Sequence, residues 1–220
     1  MLPTNHARWD LVVPLKPTEL GKSRLAAYAG PRRSELTRAM LLDTVAAALH
    51  SPEVATVLVV TDDSQIAAVL AETGIHVVPD VPAAGLNAAI RFGFDHLRAR
   101  RPGSPVAAVT ADLPALRAHD LTAALVECAQ QGRSFVSDTA GVGTTLLATT
   151  LAEDRAHVAL APEFGAGSRA AHLRSGATEI TLAVPSLRRD VDTEADLSDA
   201  LRLGVGPRTR VVLGELNPLA

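Results

Sequence analysis

Three cations crowd around one glycine near the start of the chain: in PLKPTELGKSRLA, residues 14–26, Lys16, Lys22 and Arg24 surround Gly21. Arginine grips phosphate oxygens bidentately and lysine acts as a point charge, so such a loop can wrap a triphosphate. The GxxxxGK[ST] spacing of a P-loop is missing, and a solvated surface loop is the plainer reading of the same charges. Farther on, TADLP at 110–114 offers Asp112, which either ligates Mg2+, a hard cation that selects carboxylate and phosphate oxygens, or caps a turn or helix entry. RDVDT at 189–193 sets Asp190 and Asp192 on one face of an extended segment, because strand side chains alternate with period two. Two such carboxylates call for a cation or a base between them, and Arg188 and Arg189 are the bland candidates. Thr193 and Asp196 suit the start of a helix. Finally, GTT at 143–145 and FGAGSRAAH at 164–172 pair glycines, which permit close backbone approach, with hydroxyls that hydrogen-bond in either sense. Ser168 reads as an N-cap or an anion ligand, and His172, one helical turn later, as a surface histidine or a group facing the same site.

The elements that must position these residues alternate. LVVP at 11–14 reads as a buried strand, Ser34 to about His50 as a helix, Val54–Thr61 as a strand, Asp63–Glu72 as a helix and His76–Val78 as a short strand. After the loop PDVPAAG, a helix begins near Leu86; a strand follows at 106–110 and a helix over Arg117–Gln130. Right-handed βαβ crossovers are expected for this series. Strands at 134–137 and 144–150, joined by DTAGVG, predict an antiparallel excursion. The stretch from Ala152 to Gly167 reads as irregular, and Ser168 starts a short helix. Ile180–Val184 reads as one more strand, and Thr193–Leu203 as the final helix. The tail from Gly204 is open between a packed and a loose state. In an open parallel sheet, ligands bind beyond the carboxyl ends of the strands, which is where the chemical loops fall.

Length and composition agree with one α/β domain over residues 1–220. Aromatic residues make up only 3 %, so Ala, Val and Leu must pack the core, as suits helices layered on a buried sheet. A net charge of −3, with no long Lys/Arg run, argues against a nucleic-acid partner. No apolar signal core or membrane-spanning stretch is evident, so the expectation is a cytoplasmic protein with no membrane partner. The lone Cys128 falls in the apolar rhythm of a helix and is assigned no chemistry.

Taken in order, PLKPTELGKSRLA, GLNAAI at 85–90, ADLP at 111–114, GVGTT at 141–145, FGAGS at 164–168 and DVDTEADL at 190–197 resemble one family. It is the guanylyltransferase family that makes the phosphoester precursor of the deazaflavin coenzyme F-420 from 2-phospho-L-lactate or phosphoenolpyruvate. The likeness covers nearly the whole chain, with Ala166 and Glu194 standing where the family's pattern has proline. It implies a nucleotide-sugar-transferase-like fold, GT-A-like and Rossmann-like, with a mostly parallel central sheet flanked by helices. It also implies that Lys16, Lys22 and Arg24 hold the GTP phosphates, with Asn87 near the nucleotide. Asp112 and Asp190 would hold Mg2+, Asp192 being the rival for the second place. Thr144, or its neighbour Thr145, with Gly165 and Ser168 would hold the phosphate and carboxylate of the acceptor.

The reaction so implied is attack of an acceptor phosphate oxygen on the α-phosphorus of GTP, with Lys16, Lys22, Arg24 and Asp112 as the catalytic set. Phosphoenolpyruvate is the favoured acceptor and 2-phospho-L-lactate the next. An unstable product would pass to a downstream transferase. Two other classes fit parts of the sequence: a nucleotidyltransferase of the same fold acting on a sugar phosphate or molybdopterin, and a nucleotide-binding regulatory domain without turnover. The LxxGxxxRMG pattern of many sugar nucleotidyltransferases is missing, and three candidate metal carboxylates exceed what binding alone requires.

Overall fold

The computed structural model describes residues 7–15, 23–81, 83–150 and 159–216. The first strand, β1 (Trp9–Pro14), is buried along its whole length. It leads by way of a 3-10 turn at Ser23–Leu25 and a single turn, α1 (Ala26–Ala29), to the long α2 (Arg33–Leu49). There follow β2 (Val54–Val60), α3 (Ser64–Ala71), β3 (His76–Val78), α4 (Leu86–Arg100), β4 (Val106–Val109) and α5 (Ala118–Cys128). Strands β5 (Arg133–Ser137) and β6 (Thr144–Thr149) come next, then α6 (Ser168–Arg174) and β7 (Thr178–Glu179). The chain continues through α7 (Pro185–Arg188), α8 (Glu194–Leu203) and α9 (Pro207–Leu216).

These strands form one sheet in the order β3-β2-β1-β4-β6-β5-β7. β1, β2, β3 and β4 run parallel, β6 runs antiparallel to both β4 and β5, and β7 returns parallel to β5. The expected α/β architecture with a small antiparallel excursion is therefore the one found. Alternation along β1 divides the core. Leu11 and Val13 pack with Leu41 and Val45 of α2 and Leu121 of α5, whereas Val12 packs with Ala89 and Leu97 of α4 on the opposite face. Gly93 lets α4 lie close to the sheet, since a Cβ there would meet Val12 Cγ1 at 2.6 Å and Val60 Cγ2 at 2.9 Å.

Two expectations change. The strand expected at Ile180–Val184 is not formed there; a two-residue strand lies just before it at Thr178–Glu179, and the Ile180 N–H continues the pairing, to the Phe135 carbonyl at 2.8 Å. The Arg188 guanidinium donates to the Ile180 and Leu182 carbonyls at 2.6 and 3.2 Å, so a side chain satisfies acceptors that a ladder would otherwise use. Pro185 then opens α7 at its first turn, where a missing N–H costs nothing. Thr193–Leu203 is not the final helix: after Gly204, within the described residues, α9 packs on α2, with Val212 and Leu213 joining Met40 and Leu36 in the core.

Asp43 of α2, 4 % exposed, holds that last helix in place. Its carboxylate accepts the Arg208 N–H at 3.2 Å and the Thr209 N–H at 2.7 Å, the orphan donors of the first turn of α9. Asp43→Ala is expected to cost about 1–2 kcal/mol in urea unfolding, the usual value of a lost cap. It should also speed amide exchange across 207–213, and an unaltered exchange pattern there would contradict this account of how the helix is held.

Candidate active site

Running β6 antiparallel to β4 brings the start of one to the end of the other. Leu146 pairs with Val109, and the Thr110 N–H donates to the Thr145 carbonyl at 3.0 Å. β5 ends on the same edge, with Ser137 opposite Thr144. Three chain segments distant in sequence thus meet at one rim, and a cavity of about 550 Å³ opens there.

The acidic wall comes from Asp112, Asp190 and Asp192, all of which line this cavity. The Val191 N–H donates to the Asp112 carbonyl at 3.1 Å, which ties the two loops together, while the Val191 side chain is fully buried. Alternation then turns Asp190 and Asp192 to the other side, as the RDVDT spacing implies. The arginines beside them are engaged elsewhere. Arg188 donates to the Ser137 carbonyl and hydroxyl at 3.0 and 2.7 Å, and Arg189 pairs with Asp196 and Asp199, each at 3.2 Å. Asp196 completes a reciprocal capping box with Thr193 at the start of α8, which fixes where the aspartate segment ends. Arg24, exposed on its 3-10 turn, is the cation on the cavity rim among the described residues. Lys16 and Lys22 lie outside the described residues.

No group of three or more metal-ligating side chains is preassembled among the described residues. Mg2+ commonly takes one or two carboxylates and completes its shell with substrate phosphates and water, so Asp112 with Asp190 or Asp192 is a suitable donor set.

The same cavity is lined by a wall of hydroxyls and backbone: Gly143, Thr144, Gly165 and Ser168. Gly165 at φ +134° and Gly167 at φ +71° adopt backbone conformations that L side chains rarely take, and they carry the chain sharply into α6. The Arg169 N–H donates to the Val142 carbonyl at 3.1 Å, and the Arg169 guanidinium makes a two-bond ion pair with Glu179 of β7, both bonds at 2.8 Å. Asn87 serves this wall from α4: its amide NH2 donates to the Phe164 carbonyl at 3.0 Å while its carbonyl accepts the Phe164 N–H at 2.8 Å. Leu86 lines the cavity beside it. Asn87, expected near the nucleotide, is thus seen bracing the FGAGS loop.

Two further residues were not singled out by the sequence, and a third was left between two readings. Asp138 lines the cavity and accepts the Val142 and Gly143 N–H groups at 2.9 and 2.7 Å, shaping the turn before Thr144; its signal was an aspartate opening a glycine turn. Thr110 also lines the cavity, and its buried hydroxyl has no hydrogen-bond partner among the described residues. The third is His172, which is fully buried rather than on the surface. It lies between the rings of Phe135 and Phe164, with centroids 5.6 and 5.4 Å away. Its Nδ1 is 2.9 Å from Thr144 Oγ1, and its Nε2 accepts the Glu163 N–H at 3.0 Å. Phe164 opens the same FGAGSRAAH segment, but the burial also needs Phe135, which β5 brings in from another part of the chain.

Burial, and next the nearby Arg133 charge, push the His172 imidazole down to about 4 from 6.5. The unfolded chain therefore binds more protons between those values. The stabilising contribution of the neutral ring is present above about pH 6.5 and is lost progressively as pH falls toward 4. Urea midpoints should decline across this window, and less steeply in His172→Phe; parallel declines would rule out His172 as the titrating group.

Comparison with known proteins identifies the family and the fold. Residues 9–217 match the family described as "Guanylyl transferase CofC like". The phosphoenolpyruvate guanylyltransferase of Streptomyces coelicolor is 51 % identical over 211 residues, covering 95 % of this chain and 97 % of that one. The enzyme of the same name from Thermomonospora curvata is 49 % identical over 209 residues, covering 94 % and 90 %. Among solved structures, a protein described as a nucleotide-diphospho-sugar transferase from Desulfovibrio desulfuricans G20 superposes with a TM-score of 0.68 at 14 % identity, covering 97 % of this chain and 96 % of that one. A CMP:2-keto-3-deoxy-manno-octonic acid synthetase complexed with CTP gives a TM-score of 0.54 at 15 % identity, covering 90 % and 98 %. Likeness at such low identity speaks for the fold alone, which is that of the nucleotide-diphospho-sugar transferases. With a family match over almost its whole length and relatives near half identity, the chain belongs to the CofC-like guanylyl transferase family.

Proposed function

We propose that this protein transfers GMP from GTP to phosphoenolpyruvate with release of pyrophosphate, with Mg2+ held by Asp112 and by Asp190 or Asp192. The observation that carries this reading is the meeting, in one cavity, of an acidic wall and a hydroxyl-and-glycine wall. The names of the relatives support phosphoenolpyruvate as the acceptor, ahead of 2-phospho-L-lactate. The reading places the enzyme in the synthesis of coenzyme F-420, with its unstable product handed to a downstream transferase.

A phosphate monoester is largely ionised near neutral pH, so the acceptor needs no general base. One of its oxygens attacks the α-phosphorus in line; a P–O bond forms there, the bond to the β-phosphate breaks, and pyrophosphate leaves with the electron pair. What the protein supplies is alignment and charge compensation. Thr144, Ser168 and the backbone at Gly165 hold the phosphate and carboxylate of the acid. Arg24, with Lys16 and Lys22, offsets charge on the departing pyrophosphate. Bound Mg2+ would lower the charge repulsion between the two substrates and polarise the α-phosphate.

The test is pyrophosphate release with Mg2+, offering phosphoenolpyruvate and 2-phospho-L-lactate separately, with ATP and CTP as nucleotide controls and a coupled downstream enzyme as trap. Release that requires GTP and phosphoenolpyruvate is expected; release with neither acid under trapping overturns the assignment. Asp112→Asn should lower kcat by about 100-fold or more while leaving most GTP affinity in place. Undiminished turnover in that variant would remove Asp112 from the metal site.

A further inference from the structure

The hydrogen bonds around His172 fix where one hydroxyl proton must lie. The Glu163 backbone N–H can only donate, so the Nε2 it reaches at 3.0 Å is bare. A neutral imidazole then carries its proton on Nδ1 and donates it to Thr144 Oγ1 at 2.9 Å. With that lone pair occupied, the Thr144 proton turns away from the ring. No other partner of Thr144 Oγ1 is found among the described residues, and the remaining open side of this buried threonine is the cavity.

We infer that His172 is a positioning residue that makes the Thr144 hydroxyl a one-way hydrogen-bond donor into the cavity, aimed at an anionic oxygen of the acceptor acid. This rests on the acceptor assignment above. A free threonine hydroxyl both donates and accepts and must reorient when an anion arrives; one held by His172 is already turned, so the cost of orientation is met in folding. Several features keep the ring in this state. Phe135 and Phe164 enclose it, and the Arg133 guanidinium donates to the Leu160 and Ala161 carbonyls at 2.8 and 2.7 Å and to Ser175 Oγ at 2.8 Å, so a positive charge stays beside it. Protonation would place a second donor on Nε2 against the Glu163 N–H. The loss of the ring's proton to burial and to Arg133 is consistent with that geometry.

Two isosteric variants separate the two ends of the ring. His172→Gln retains an acceptor near the Nε2 position and loses the donor to Thr144, whereas His172→Asn retains a donor near Nδ1 and loses the acceptor. His172→Gln should raise KM for the acid about tenfold with KM for GTP unmoved, in the range expected for a hydrogen bond to a charged group. His172→Asn should restore most of that loss. Thr144→Val, which removes the hydroxyl itself, should cost at least as much as His172→Gln, and the double variant should be no worse than Thr144→Val alone, because both act through one bond. Multiplying effects, or an equal rise in KM for GTP, would overturn the inference. Nitrogen-15 NMR of histidine-labelled wild-type protein gives a readout independent of turnover: the His172 signal, assigned by its absence in His172→Gln, should be that of a neutral Nδ1–H ring at pH 6. The two readings fail separately. Absence of wild-type turnover with any acid overturns the acceptor assignment, whereas an Nε2–H ring overturns the hydroxyl orientation whatever the turnover.

Discussion

The site depends on the reversal of one strand. Had β6 run parallel to β4, its first residue would sit at the opposite edge of the sheet, about 15 Å or more from the end of β4 at the usual rise per residue. Instead the antiparallel ladder from Val106↔Thr149 to Val109↔Leu146 delivers Thr144 to the rim where Thr110 and Asp112 emerge. The remaining pieces attach to that rim by backbone bonds. Val191 is joined to Asp112, Thr139 to Arg188 and Arg169 to Val142. Ladder and loop hydrogen bonds, more than side-chain packing, therefore set the distance between the acidic wall and the hydroxyl wall.

That spacing has an electrostatic consequence. Asp112, Asp138, Asp190 and Asp192 line the same cavity, with Arg24 as the opposing charge among the described residues. Asp138 accepts two backbone N–H groups, those of Val142 and Gly143. A polyanion entering such a cavity meets repulsion unless a cation accompanies it, which is why the proposed reaction gives the nucleotide a bound Mg2+. Elsewhere in the lining the hydroxyls of Thr144 and Ser168 and the backbone at Gly165 lie with Asp138, and in the proposed reaction these neutral groups take the acceptor acid.

Much of this was legible in the sequence because period and punctuation agreed. Val-rich runs at 54–60 and 106–109, with helices of suitable length between them, gave the parallel half of the sheet. The glycine-bearing DTAGVG turn marked the antiparallel half. The alternation in RDVDT placed Asp190 and Asp192 together, since Val191 could only be the buried member of the trio. What escaped depended on side chains reaching across the fold. Arg188 takes carbonyls of the segment expected as a strand at 180–184. Asp43 secures α9 from a position more than a hundred residues earlier in the chain. Asn87 and His172 both carried polar labels and both brace the FGAGS wall, Asn87 through Phe164 and His172 through Glu163 and Thr144. Pattern reading locates elements and loops, whereas the partner of a buried polar side chain is fixed by tertiary contacts.

The central claim is that one cavity joins the α-phosphorus of a guanine nucleotide to the phosphate of a small carboxylic acid. Phosphorus-31 NMR of the reaction of GTP with phosphoenolpyruvate and Mg2+ tests it directly, because a new P–O–P linkage couples its two phosphorus nuclei. The account predicts a pair of mutually coupled resonances appearing in step with free pyrophosphate. GMP and pyrophosphate alone, with the phosphoenolpyruvate signal unchanged, would mean that water attacks the nucleotide, and would contradict the account.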